Sequence, residues 1–153
     1  MKIFFDTSVL VAASVRSHVH HVQSLSALRK VIANKDRGFF GTYSIAEVFS
    51  ALTCLPAVPR IHPAEATRMI EENLLPHFEI VPGSKSDYLA AMNITANGGW
   101  IGRKIYDALL LCCAAKVDVD RIYTFNLNDF QRLAPTSLKS KICAPRSPRL
   151  PEL

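Results

Sequence analysis

The chain has few glycines, no paired cysteines and no long apolar run, and each shortage removes a class of protein. Its six glycines never fall in the order G-x-G-x-x-G, and "GGWIG" follows no strand, so a dinucleotide-binding loop is unsupported. Cys54, Cys112, Cys113 and Cys143 form no C-x-x-C pair and have no histidine at zinc-binding spacing. Free thiols of a reducing compartment follow, with Cys112 and Cys113 about 100° apart on a helix and placed in the core. The longest apolar stretch, Ala108 to Ala115, falls far short of the roughly 20 residues of a membrane helix. Asp6 interrupts the N-terminus where a secretory signal would need apolar residues. Serines such as those of "SLSAL" have no nucleophile-elbow context, and neither repeats nor low-complexity tracts occur. The expectation is a cytoplasmic protein without a membrane segment.

What is there suits one globular domain over 1–153: 153 residues, 49% of them hydrophobic and 20% charged. The net charge of +5 is uneven, because residues 131–153 carry Arg132, Lys139, Lys141, Arg146 and Arg149 against Glu152 alone. A basic, Pro-rich C-terminal tail over about 135–153 is expected to follow a nearly neutral body. It suits a phosphate-rich partner or a solubilising frayed end equally.

Periodicity gives a first strand over Lys2 to Phe5, a helical stretch in "SVLVAASV", and a helix from about His18 to Asn34. "RGFFGT" reads as a strand and "SIAEVFSALTCL" as the helix after it. Pro63 opens a helix to about Leu75, "HFEIVP" is a third strand, helices span Lys85 to Ala96 and Lys104 to Lys116, and "RIYTFN" is a fourth strand. Strands separated by helices require crossovers, so the fold class is α/β with a mostly parallel sheet between helical layers. Such sheets bind ligands beyond the carboxyl ends of their strands.

Four acids fall near that edge. Asp6 ends the first strand, Glu47 sits early in the helix after the second, Asp107 precedes eight apolar residues at the start of its helix, and Asp129 lies just past the fourth strand. Each has a plain structural reading. Asp6 would cap a helix, Ser44 and Glu47 fit an S-x-x-E capping box, Asp107 would favour a helix dipole, and Asp129 would be a turn residue. Their shared relation to the sheet favours convergence instead. Clustered carboxylates repel unless a cation neutralises them, and oxygen ligands without His or Cys select Mg²⁺ or Mn²⁺, whose natural substrate is a phosphate ester. Arg103 and Lys104, just before Asp107, are placed to grip a phosphate. "HVHH" puts His18, His20 and His21 at a spacing that does not share one helical face, which argues against a metal trio and leaves RNA contact as a minor reading. Trp100 reads as a packing residue.

"FFDTSVLVA", "TYSIAEVFSAL", "KIYDALLLCCAA" and "IYTFNLNDFQRL", in that order, resemble the PIN-domain ribonucleases, in particular the VapC-type toxins of bacterial toxin-antitoxin pairs. The resemblance implies a three-layer α/β/α fold with about five strands and a Mg²⁺- or Mn²⁺-dependent endoribonuclease. It also implies an RNA substrate, a homodimer and a cognate antitoxin as partners. It makes Asp6 and Asp107 metal-binding acids and Glu47 the acid of the second motif, with Ser8, Thr124 and Asn126 in support. Many members place an acid where this chain has Asn126, and Asp129 is the candidate to supply that charge.

Two other readings remain open on sequence. An aspartyl phosphatase would want a second acid where Ser8 stands. A non-catalytic nucleic-acid-binding or scaffold module would follow if Asn126 marks a decayed site.

Overall fold

The computed structural model describes residues 1–147; the last six residues of the expected tail lie outside the described part. Five parallel strands, β1 (Lys2–Phe5), β2 (Arg37–Gly41), β3 (Phe78–Val81), β4 (Arg121–Tyr123) and β5 (Ile142–Cys143), run in the order β3-β2-β1-β4-β5. The chain builds outward from β1 to β3 and then returns to lay β4 on the other side of β1. The topological switch point therefore lies between β1 and β4, where open parallel sheets form their clefts. There the Asp6 N–H donates to the Tyr123 carbonyl at 2.9 Å.

Being central, β1 is buried on both faces and reads as the continuous run Ile3, Phe4, Phe5 rather than an alternation. Phe4, Phe39 and Ile122 pack into one layer with α5 (Lys85–Asn97), α6 (Lys104–Ala115), α7 (Leu127–Leu133) and α8 (Thr136–Lys139). Ile3, Phe5 and Phe40 face the other layer, formed by α1 (Thr7–Ser14), α2 (His21–Ile32), α3 (Thr42–Cys54) and α4 (Pro63–Asn73). The apolar run after Asp107 becomes the buried face of α6, where Leu109, Leu110, Leu111 and Cys113 are at most 1% exposed. The α/β/α architecture with five strands matches the sequence expectation.

Ile122, fully buried at the switch point, makes a direct probe of this packing. Ile122→Val removes one buried methylene and is expected to cost about 1 kcal/mol, read as a lowered urea midpoint at unchanged m-value.

Three local expectations change. The helix after β2 begins at Thr42 with Gly41 at its N-cap, so Ser44 lies inside the first turn and the Ser44–Glu47 capping box does not form. A Cβ on Gly41 would run into the Tyr43 ring, so glycine there lets the ring fold back over the end of β2. Thr136 to Cys143, placed by sequence in the tail, forms α8 and the edge strand β5. Finally, α7 was not expected at all.

Candidate active site

Asp6 stands at the N-cap position of α1 but makes no capping bond. Its Oδ2 instead accepts hydrogen bonds from Ser8 Oγ at 2.6 Å and Thr124 Oγ1 at 2.8 Å, the second bond crossing from β1 to the segment after β4. Burial pushes its carboxyl above the usual range, and the two hydroxyl donors oppose the rise.

Asp107 lies in the first turn of α6, with Oδ2 accepting from Asn126 Nδ2 at 3.0 Å. Its pKa is pushed up to about 6, chiefly by burial, then by the negative charge of Asp6 and, less, of Glu47, while Lys104 pulls it down. Glu47 on α3 accepts from Thr7 Oγ1 at 3.1 Å and from Arg103 at 3.4 Å. Burial raises it first; the Thr7 bond opposes that rise, and Asp6 adds to it. The Asp6 charge thus reaches both Glu47 and Asp107, and the Glu47 charge reaches Asp107, so the tertiary fold does bring the three together.

They line one cleft of about 660 Å³, together with Ser8, Arg103, Lys104 and Asn126. The plain structural readings of two acids fall away here. Asp6 caps nothing, and Glu47 has no capping partner. Asp129 stands apart: it does not line the cleft, and its carboxylate takes the Lys104 ammonium. The position beside Asp107 that sequence left open between Asn126 and Asp129 is filled by the amide of Asn126.

Thr7, Tyr43 and Phe125 were missed, while His20, weighed for RNA contact within "HVHH", lines the cleft. Thr7 follows Asp6 directly and its "DTS" context was a readable signal. Tyr43 had none, because its place within range of the Asp6 and Glu47 charges depends on the fold-back permitted by Gly41. Its hydroxyl is buried without a hydrogen-bond partner, as is that of Ser44. Burial and the nearby Asp6 charge hold the phenol well above its ordinary range, so it stays a protonated donor. Of the histidines, His21 Nδ1 bonds to the Ala12 carbonyl at 2.9 Å, and His18 Nδ1 accepts from the His20 N–H at 3.1 Å. Trp100 packs on the α5–α6 layer with Arg132 above its ring, as expected.

No group of three or more His, Cys, Asp or Glu among the described residues is gathered as a ready metal cage. Mg²⁺ does not require one, since it is commonly held by one or two carboxylates, waters and substrate phosphate. The donor set is oxygen only, and two of its acids, Glu47 and Asp107, are raised by the charge of the third, Asp6. These residues fit a hard divalent cation.

A parallel α/β/α sheet with a carboxylate cleft at its switch point defines the class of protein. More narrowly, the chain belongs to the PIN-domain family, whose profile matches residues 3–135. Members of this family generally work with a divalent metal ion. Ribonuclease VapC27 of Mycobacterium tuberculosis is 29% identical over 111 residues, covering 72% of this chain and 75% of that protein. Among solved structures, M. tuberculosis VapC20, a sarcin-ricin loop cleaving toxin, has a TM-score of 0.65 at 15% identity, covering 83% of this chain and 92% of its own. FitAcB from Neisseria gonorrhoeae reaches 0.66 at 15% identity, over 94% and 97% of the two chains. At that identity both similarities speak for the fold.

Proposed function

We propose that this protein is a divalent-metal-dependent endoribonuclease, using Mg²⁺ or Mn²⁺, and the toxin of a toxin-antitoxin pair. The observation that carries the reading is the gathering of Asp6, Glu47 and Asp107 in one cleft at the sheet switch point, where the Asp6 charge raises both of the others, in a chain of the PIN family. When bound, the cation supplies Lewis-acid chemistry, making water a competent nucleophile near neutral pH and stabilising charge on the phosphate.

The protein's own residues do the rest. Asp6 and Asp107 hold the cation, Asp6 oriented by Ser8 and Thr124, Asp107 by Asn126. Glu47, set by Thr7, faces the same cleft as an acceptor for the proton lost by the attacking water. Arg103 and Lys104 hold the RNA backbone, with Asp129 positioning Lys104 rather than reaching the cation. Water, its proton passing to Glu47, adds to phosphorus, the bond from phosphorus to the 3′ oxygen breaks, that oxygen takes a proton from solvent, and the products carry a 5′-phosphate and a 3′-hydroxyl.

The names of the relatives, a ribonuclease and a sarcin-ricin loop cleaving toxin among them, support an RNA substrate, and a cytoplasmic site of action is part of the proposal. A cognate antitoxin and a homodimer belong to the same reading, supported by neighbours solved as toxin-antitoxin complexes such as VapBC2 of Rickettsia felis. The decayed-module alternative is disfavoured because Asn126 serves as a donor that orients Asp107.

The test is cleavage of end-labelled total RNA by the purified chain, free of antitoxin, with Mg²⁺, Mn²⁺ or EDTA. Discrete fragments that require metal establish the activity; intact RNA in all three overturns it. Asn126→Asp adds a carboxylate where the family resemblance implies one. It is expected to tighten Mn²⁺ binding about tenfold and to lower the metal-free melting temperature through like-charge repulsion, both read by melting across a Mn²⁺ titration.

A further inference from the structure

The cleft has a second zone, and its wall is flat. His20, just before α2, lies on Phe125 with ring centroids 4.1 Å apart and planes 15° apart. Phe125 stands between Thr124, which bonds to Asp6, and Asn126, which bonds to Asp107, and its N–H donates to Ser8 Oγ at 3.3 Å. The bonds that set the acids therefore also set this ring. The turn carrying His20 is tied down on both sides by the His18 and His21 bonds already described. Beside it Val19 lines the same cleft with 85% of its surface exposed.

We propose that this wall is a nucleobase site: the base next to the phosphate held at Asp6 and Asp107 stacks on the His20–Phe125 pair, with Val19 at its edge. The inference rests on the ribonuclease reading and deepens it. Every base offers a π face, so such a wall accepts bases by stacking without reading their edges. The rings are already ordered, so little freedom is lost on binding. A base within a duplex is stacked on its neighbours and cannot reach the wall, so the wall takes only a base that is already unpaired. A nucleic acid is favoured over a protein segment because the wall is continuous with the cationic residues Arg103 and Lys104 of the same cleft.

The experiment compares adenosine 5′-monophosphate with ribose 5-phosphate, which keeps the phosphate and lacks the base, titrated with Mg²⁺ into the full chain and followed by ring-proton NMR. Adenosine 5′-monophosphate is expected to bind about tenfold tighter than ribose 5-phosphate and to shift the His20 and Phe125 ring signals. His20→Ala should reduce its affinity to that of ribose 5-phosphate, and His20→Trp, which restores a flat surface, should keep it. Equal affinity of the two ligands for the wild type, or unchanged nucleotide affinity in His20→Ala, overturns the proposal. So does a His20→Ala chain whose only loss is in binding the antitoxin, which would assign the wall to a protein partner. RNA cleavage is scored separately: a chain that binds the nucleotide at His20 yet cuts no RNA refutes the ribonuclease and retains the base site.

Discussion

Asp107→Asn is expected to lower metal-dependent RNA cleavage by about a hundredfold to a thousandfold while leaving the protein folded. The side chain keeps its shape, and its amide oxygen can still accept the bond from Asn126 Nδ2. What disappears is one negative charge in a cleft where Asp6 and Glu47 already oppose it. Removing a partly buried charge with like-charged neighbours relieves the metal-free protein, so its melting temperature should stay level or rise. The cation, in contrast, would lose one of the two ligands proposed for it. Cleavage of end-labelled total RNA and thermal melting, run on one preparation, separate the outcomes. Full activity would remove Asp107 from the site. A lower melting temperature would give it a structural role instead.

The second large effect is on pH. The Asp107 carboxyl titrates at about 6 in the folded metal-free chain, raised by burial and by its acidic neighbours from an unperturbed 3.8. The native state therefore binds more protons than the unfolded one between those values. Its contribution to stability is present in full below about pH 4 and is lost as pH rises through about 6. A cation binds the ionised form and works in the opposite direction. Below pH 6 each unit of acidification should weaken Mn²⁺ binding about tenfold, one proton competing with one ion. The rise in melting temperature caused by Mn²⁺ should grow from pH 5 to 7.5, and cleavage at limiting metal should grow with it. An increment flat across that range would mean that the ion is not held by Asp107.

Most of the fold was readable because its signals are local. A buried parallel strand shows as an unbroken apolar run at Ile3 to Phe5, a helix as 3.6-residue periodicity, and Pro63 marks a helix start by its fixed φ. What escaped was short or conditional. β5 has two residues, too few for any period, and becomes a strand only because β4 offers an open edge. The S-x-x-E pattern at Ser44 was a true motif match in the wrong register, since the helix starts two residues earlier at Thr42.

The acids divide in the same way. Asp6, Glu47 and Asp107 could be picked out by their place relative to strands and helices, because a crossover connection forces the strand ends to one edge. Asp129 met the same criterion and turned toward Lys104, a choice set by packing of α6 on α7. The sequence by itself determined the layers, the parallel sheet and the edge at which polar residues collect, since burial and periodicity act within a few turns of chain. Only the tertiary structure decided which acids share a cleft, that Asn126 rather than Asp129 meets Asp107, and that Phe125 carries His20 against the site. Those contacts join residues as distant in sequence as His20 and Phe125, and a carboxylate's partner depends on side-chain direction in three dimensions, which spacing along the chain does not encode.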